Sequence, residues 1–102
     1  MPEFHKVLQA SELEVGNSKL VQVDGRKIAL FNVAGSYYAI DDTCTHRGGT
    51  LSDGSLDGTQ VTCPLHGAIF DVTTGQVKGP PAPAPVAKYN VRIVDAHIEI
   101  EV

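Results

Sequence analysis

The sequence has 102 residues, of which 42% are hydrophobic, and its 8 lysines and arginines stand against 12 aspartates and glutamates, for a formal net charge of −4. This size and composition predict a single domain over residues 1–102 with an ordinary apolar core. The negative balance argues against a nucleic-acid-binding or anionic-membrane-binding surface, since both need clustered positive charge, and it suits docking to a basic patch on a protein partner. No apolar run approaches the roughly 18 residues needed to span a bilayer. Residues 1–6 lack the basic-then-apolar order of a signal peptide, so we expect a cytoplasmic protein.

Short strands separated by turns dominate the predicted elements. A single helical turn is predicted at residues 11–14, with Ser11 as its N-cap and Gly16 as its end. Residues 20–23 alternate in polarity, and Asp24-Gly25 then gives a strong hairpin signal. Further strands are predicted at 27–31, 37–40, 59–63, 68–72, 89–94 and 98–102. In the last of these the alternation predicts an apolar face and a solvated face formed by Glu99 and Glu101.

Two irregular segments interrupt this pattern. Residues 41–57 are rich in Gly, Thr, Ser and Asp and show no sustained period, and residues 79–85 read Gly-Pro-Pro-Ala-Pro-Ala-Pro. Proline donates no ladder hydrogen bond, so the second segment cannot be an interior strand and should be extended and stiff. Long irregular segments in a compact domain usually serve function. The fold class predicted is all-β, a small sandwich or barrel.

Two short motifs pair a cysteine with a histidine. Cys44-Thr45-His46 and Cys63-Pro64-Leu65-His66 are separated by 16 residues, and each offers a thiolate and an imidazole within three or four positions. Two loops of this kind make a four-ligand site of the Cys₂His₂ type. A structural zinc ion accepts the same donors, although zinc fingers usually group Cys with Cys and His with His. On the residues alone, zinc and an iron–sulfur cluster both remain open.

At these residues the chain resembles the Rieske iron–sulfur family, whose pattern is C-x-H followed, after a comparable interval, by C-x-x-H. The flanking sequences Cys44-Thr45-His46-Arg47-Gly48-Gly49 and Cys63-Pro64-Leu65-His66-Gly67-Ala68 also match, and Gly79-Pro80-Pro81 follows where the family has a proline loop over the cluster. The resemblance covers essentially the whole chain. It implies an antiparallel Rieske-like β-sandwich or barrel with an inserted cluster-binding subdomain at about residues 42–84.

The resemblance also implies the cofactor and its surroundings. One [2Fe–2S] cluster would have Cys44 and Cys63 on one iron, and His46 and His66 on the other. The residues that would surround the cluster are Arg47, Gly48, Gly49, Pro64, Leu65, Gly67, Ala68, Pro80 and Pro81. Glycines there would allow close backbone approach and N–H donation to the sulfides, while Pro64 would stiffen the second loop and Leu65 would shield the cluster from water.

Departures from the respiratory branch of the family indicate a low reduction potential. Gly49 and Leu65 stand where Rieske proteins of cytochrome bc complexes carry a disulfide between the two loops, and Ala68 stands where those proteins have a serine that donates to a bridging sulfide. Fewer hydrogen bonds to sulfur leave the reduced cluster less stabilised. The sequence therefore predicts a potential at the low end of the Rieske range, about −150 mV.

The functional expectation is an electron carrier with no catalytic site of its own. Oxygenase subunits with a Rieske domain need a much larger second domain with non-haem iron. The resemblance therefore implies a ferredoxin that passes single electrons from a flavin NAD(P)H-dependent reductase to a terminal oxygenase in aromatic-ring hydroxylation. We expect a monomer, which suits transient docking. Two alternatives are a small nitrite reductase subunit and a structural zinc module. His5 and His97 are interpreted as ordinary strand residues.

Overall fold

The computed structural model describes residues 3–43, 50–64, 67–79 and 85–102. Within these ranges the chain forms antiparallel strands arranged in three sheets, with two short 3₁₀ turns. No helix among the described residues is long and apolar enough to cross a membrane. The prediction of an all-β antiparallel fold is confirmed.

Three consecutive strands joined by tight turns form most of one four-stranded sheet, which we call the second sheet. β2 (Ser18–Val23), β3 (Arg26–Val33) and β4 (Ser36–Asp41) pair in that order. At the first turn both Asp24 and Gly25 have positive φ, 50° and 78°, which is the conformation of a two-residue type I′ hairpin turn. The hairpin predicted from Asp-Gly is confirmed.

The first and last strands of the chain are neighbours in another sheet, which we call the terminal sheet. β1 (Phe4–Gln9) and β10 (Val91–Val94) lie on either side of β11 (His97–Glu101). The turn between β10 and β11 also has positive φ at both central residues, Asp95 and Ala96. A two-residue strand, β9 (Lys88–Tyr89), precedes β10 and pairs with β4, so the chain passes from one sheet to the next.

The expected solvated face of β11 is wrong at one position. Ile98 and Ile100 are fully buried as predicted, but Glu99 is also buried, with 6% of its surface exposed. The Nε of Arg92 donates to Glu99 Oε1 at 2.8 Å, and the same guanidinium lies 4.0 Å from the ring centroid of Phe4. The long arginine side chain covers the carboxylate, an arrangement that alternation alone does not predict.

The predicted helical turn exists but is displaced. It spans Ala10–Glu12 as a 3₁₀ turn with Gln9 at its N-cap, so the expectation of Ser11 as N-cap and residues 11–14 as the turn is wrong. The backbone N–H of Gln9 donates to Glu12 Oε2 at 3.2 Å, and Leu13, which ends the turn, is buried. Because Leu13 is buried directly after the turn, the helical segment does not extend beyond one turn.

The third sheet lies within the region predicted to be loop-rich. Its four strands pair in sequence order: β5 (Ser55–Asp57), β6 (Gln60–Thr62), β7 (Ile69–Asp71) and β8 (Val77–Gly79). β6 and β7 correspond to the strands predicted at 59–63 and 68–72, whereas β5 and β8 were not predicted. A 3₁₀ turn at Leu51–Asp53 precedes the sheet.

The second sheet lies between the other two because β3 is apolar on both faces. Ile28, Ala29, Leu30 and Phe31 all have 0% exposure. Side chains alternate across a strand, so Ile28 and Leu30 join a core with Ile98 and Ile100 of the terminal sheet. Ala29 and Phe31 join a second core with residues of the third sheet: Val61, Phe70 and Val72. This second core also contains residues of the predicted site.

Candidate metal centre

The two ends of the first Cys-His motif are held side by side. Thr43 and Thr50 form an antiparallel bridge, and the Leu51 N–H donates to the Asp42 carbonyl at 2.7 Å. The Ser52 N–H donates to Asp42 Oδ1, also at 2.7 Å. Residues 44–49 therefore connect two paired segments. The predicted site residues of this motif, Cys44, His46, Arg47, Gly48 and Gly49, lie outside the described residues.

The second motif connects β6 to β7. The Cys63 N–H donates to the Ala68 carbonyl at 2.7 Å, which extends the ladder one pair beyond Thr62 and Ile69. Cys63 and Ala68 are buried, with 2% and 0% exposure. Pro64 is exposed, whereas Leu65 and His66 lie outside the described residues. The connection thus leaves the buried core at Cys63 and returns to it at Ala68.

Gly67 completes this connection with a backbone conformation that favours glycine. Its φ is +77°, in the left-handed region where a Cβ would meet the following carbonyl. The residue is exposed, and a Cβ at this position would meet no described residue within 4 Å. The structure therefore explains this glycine by the turn itself.

Described residues in or beside the two motifs pack in the same apolar core. Leu51, next to the Thr43–Thr50 bridge, is fully buried in a cluster that also contains Cys63, Ala68 and Phe70. Described residues beside the two motifs therefore lie in one core, although the motifs are far apart in sequence. Of the four predicted ligands, Cys63 is the one that the described ranges include.

The proline segment begins and ends next to the second motif. Gly79, its first residue, pairs with Ile69, which directly follows Ala68. At the other end the Val86 N–H donates to the Gly75 carbonyl at 2.9 Å, and Val86 is buried in the core that holds Cys63. Pro80 and Pro81 lie outside the described residues. Both ends of the segment are thus fixed to the sheet that presents Cys63.

Gly75 permits this attachment by its lack of a side chain. A Cβ at this position would lie 2.3 Å from the Val86 carbonyl oxygen, and the φ of Gly75 is +79°. The sequence analysis did not predict the contact between Gly75 and Val86, because the two residues are joined through the tertiary fold and share no local pattern.

A hydrogen-bonded group of polar side chains holds the end of β4, where the first motif begins. The Tyr89 hydroxyl donates to Asp41 Oδ1 at 2.5 Å. Burial raises the pKa of Tyr89, and the hydrogen bond with Asp41 raises it further, while Arg26 acts in the opposite direction. The phenol therefore stays protonated at neutral pH and remains a donor to Asp41.

Asp42 is the buried charged residue of this region. It has 0% exposure, its N–H donates to the Lys27 carbonyl at 3.1 Å, and its Oδ2 has no hydrogen-bond partner among the described residues. The sequence gives no signal that separates Asp42 from its neighbour Asp41, which is half-buried.

Comparison with known proteins agrees with this architecture. The sequence profile of the Rieske [2Fe–2S] domain matches residues 3–90. The biphenyl dioxygenase ferredoxin subunit of Pseudomonas sp. (strain KKS102) is 43% identical over 91 residues, which are 88% of this chain and 84% of that protein.

Two solved structures show the same similarity. The Sphingomonas yanoikuyae B1 ferredoxin has a TM-score of 0.92 and 33% identity, covering 98% of this chain and 99% of that one. A chain in the complex of reduced oxygenase and oxidised ferredoxin of carbazole 1,9a-dioxygenase has a TM-score of 0.90 and 34% identity, covering 95% and 91%. The relatives are named as ferredoxin components, which carry electrons and are not the catalytic subunits. The chain belongs to the Rieske [2Fe–2S] family and is an electron carrier with one Rieske-type cluster.

Proposed function

We propose that Cys44 and Cys63 bind one iron of the cluster, and that His46 and His66 bind the other. The observation that carries the proposal is the common core beneath the two motifs, in which Leu51 and Cys63 pack together. The donor set fits the group, because two thiolates and two imidazoles are the ligands of a Rieske centre. The burial of Cys63 suits a ligand of an inner iron.

The surroundings of the cluster are proposed on the same basis. Pro64 and Gly67 shape the connection that carries His66, and Ala68 closes it against Cys63 without offering a side-chain donor. Residues outside the described ranges complete the environment: Arg47, Gly48, Gly49, Leu65, Pro80 and Pro81. The attachment of both ends of the proline segment beside Ala68 supports its role as a cover.

The bound cluster supplies one-electron chemistry, which the protein tunes through charge. Two thiolates leave the oxidised centre near neutral, so an added electron meets less repulsion than in an all-cysteine cluster. The absence of a hydroxyl at Ala68 places the proposed potential at the low end of the Rieske range, about −150 mV. Such a potential suits a carrier between a nicotinamide-dependent flavoprotein and an oxygenase.

The partners proposed are a flavin NAD(P)H-dependent reductase as donor and a terminal Rieske non-haem iron oxygenase as acceptor. The ferredoxin–oxygenase complex of carbazole 1,9a-dioxygenase supports the acceptor, and the biphenyl dioxygenase relative supports a role in aromatic-ring hydroxylation. We propose that the chain acts in the cytoplasm, as one domain and as a monomer, because a small and transient interface suits rapid electron exchange.

A spectroscopic experiment tests the ligand assignment. The purified protein should show a broad visible spectrum and, after dithionite reduction, a rhombic EPR signal with an average g value below that of all-cysteine clusters. His66→Ala should abolish or alter both spectra. His97→Ala is the matched control, because His97 contacts the Asp95 carbonyl at 3.1 Å, at the turn between β10 and β11, and its spectra should match the wild type. Unchanged spectra in His66→Ala would contradict the assignment.

A second experiment tests the carrier role. The reduced protein is mixed with an aromatic-ring-hydroxylating oxygenase and its aromatic substrate, and reoxidation of the ferredoxin is followed in the visible band. Substrate-dependent reoxidation with formation of the hydroxylated product supports the role. Failure with a panel of such oxygenases, together with tight binding to another redox enzyme, would overturn it.

A further inference from the structure

Asp42 forms the base of the first ligand motif through three hydrogen bonds. Its backbone accepts from Leu51 and donates to Lys27, and its Oδ1 accepts from the Ser52 N–H at 2.7 Å. These contacts join the end of β4 to the 3₁₀ turn that follows the motif. Asp42 thus fixes the two points between which residues 44–49 must run.

A carboxylate is a costly choice for this structural task. The side chain is fully buried, and its Oδ2 has no hydrogen-bond partner among the described residues. Burial of an ionised group is unfavourable unless the group is fully paired, and among the described residues only Oδ1 is paired. An asparagine would accept from Ser52 equally well through its amide oxygen, so the backbone contact does not account for the negative charge.

The position of Asp42 suggests what the charge does. Asp42 precedes Cys44 by two residues, so their Cα atoms lie no more than about 7 Å apart. The Ser52 contact directs the carboxylate toward the 3₁₀ turn whose Leu51 packs with Cys63 in one core. A buried charge is weakly screened, and a negative charge near the cluster opposes the addition of an electron.

We propose that Asp42 is a positioning residue with a second role, in which its buried carboxylate lowers the reduction potential of the cluster while its hydrogen bonds hold the ends of the first ligand motif together. The inference rests on the proposed ligands Cys44 and Cys63. It assigns to this chain an electrostatic control of potential that is separate from hydrogen bonding to the sulfides.

The test is a redox titration of the cluster-loaded Asp42→Asn variant, followed by EPR. The amide retains the acceptor for Ser52 and removes the negative charge. We expect the equilibrium constant for reduction to increase about tenfold, which is a rise of about 59 mV for one electron. Asp41→Asn is the matched control: it removes the same formal charge one residue earlier, from a half-buried side chain that faces Tyr89, and should change the constant less than about threefold because solvent screens it.

Thermal unfolding separates the two roles of Asp42. Asp42→Ala orphans the Ser52 N–H and should lower the melting temperature by at least about 4 °C relative to Asp42→Asn. The proposal is overturned if Asp42→Asn leaves the potential unchanged, lowers it, or shifts it no more than Asp41→Asn does. It is also overturned if Asp42→Asn fails to fold or to load a cluster, since the retained acceptor would then not be sufficient.

The wild-type spectra distinguish this inference from the proposed function. Absence of a Rieske-type EPR signal in the wild type would remove both. A normal wild-type signal together with an unmoved potential in Asp42→Asn would refute the role of Asp42 alone.

Discussion

Substitution of Gly75 by alanine should loosen the attachment of the proline segment to the third sheet. The new Cβ would lie 2.3 Å from the Val86 carbonyl oxygen, a backbone atom that cannot rotate away, and the φ of +79° is unfavourable for any L-residue. Relief of the clash requires Val86 to move out of the core in which it is buried.

The expected magnitude has two parts. The left-handed conformation costs about 1 kcal/mol, and displacement of Val86 with loss of its 2.9 Å hydrogen bond to Gly75 adds about 1–2 kcal/mol. A total of about 2–3 kcal/mol corresponds to a fall in melting temperature of roughly 8–24 °C for a chain of this size. Because Val86 follows the proline segment, the variant should also lose its visible absorbance faster in air.

Gly58→Ala is the matched control for this substitution. Gly58 lies in the β5–β6 turn of the same sheet with φ +61°, but a Cβ there would meet nothing within 4 Å in the part of the chain that the structure describes. This variant should lose only the conformational part, about 1 kcal/mol. Both variants are compared at one scan rate, since cluster loss makes unfolding irreversible. Equal melting temperatures and equal bleaching rates in the two variants would refute the contact-based reasoning.

Three further substitutions have defined expectations. Ala68→Ser places a hydroxyl donor at a fully buried position beside Cys63; a hydrogen bond worth about 1–2 kcal/mol more to the reduced cluster raises the potential by about 45–90 mV, and a redox titration with no rise would contradict it. Asn32→Ala removes the side chain that donates to the Leu13 carbonyl at 2.8 Å and accepts from the Gly35 N–H at 2.9 Å. It should cost about 2–4 kcal/mol in thermal unfolding, and a change below about 1 kcal/mol would show that water replaces both contacts. Ala96→Gly relieves a residue at φ 64° and should stabilise the protein by about 0.5 kcal/mol, so a lowered melting temperature would argue against strain at this turn.

A local pattern in the sequence predicted the hairpin between β2 and β3 correctly. Asp24-Gly25 specifies its turn through backbone conformations that these residues tolerate. The alternation in β11 predicted correctly that Ile98 and Ile100 are buried, although Glu99 between them is buried as well. The Cys-His spacing is a chemical signature, which is independent of packing. Family membership and the electron-carrier function follow from that signature and agree with the relatives.

Features that depend on distant contacts could not be predicted. β5 and β8 are strands of three residues each, and they are defined by their pairing with β6 and β7, which no local pattern reports. Glu99 has the sequence pattern of an exposed strand residue, but Arg92 covers it. Asp42 differs from Asp41 in its complete burial, which depends on the tertiary fold. The displaced 3₁₀ turn has the same origin, because burial of Leu13 decides where it ends.

Strand β3 contributes to two apolar cores, and this has a consequence for electron exchange. Ile28 and Leu30 belong to one core, and Ala29 and Phe31 of the same strand belong to the other, so neither core can relax without moving a strand that the other also holds. A scaffold constrained on both faces changes little when charge arrives or leaves. Little structural rearrangement means a low reorganisation energy, and a carrier that must accept and release electrons during brief encounters gains speed from that stiffness.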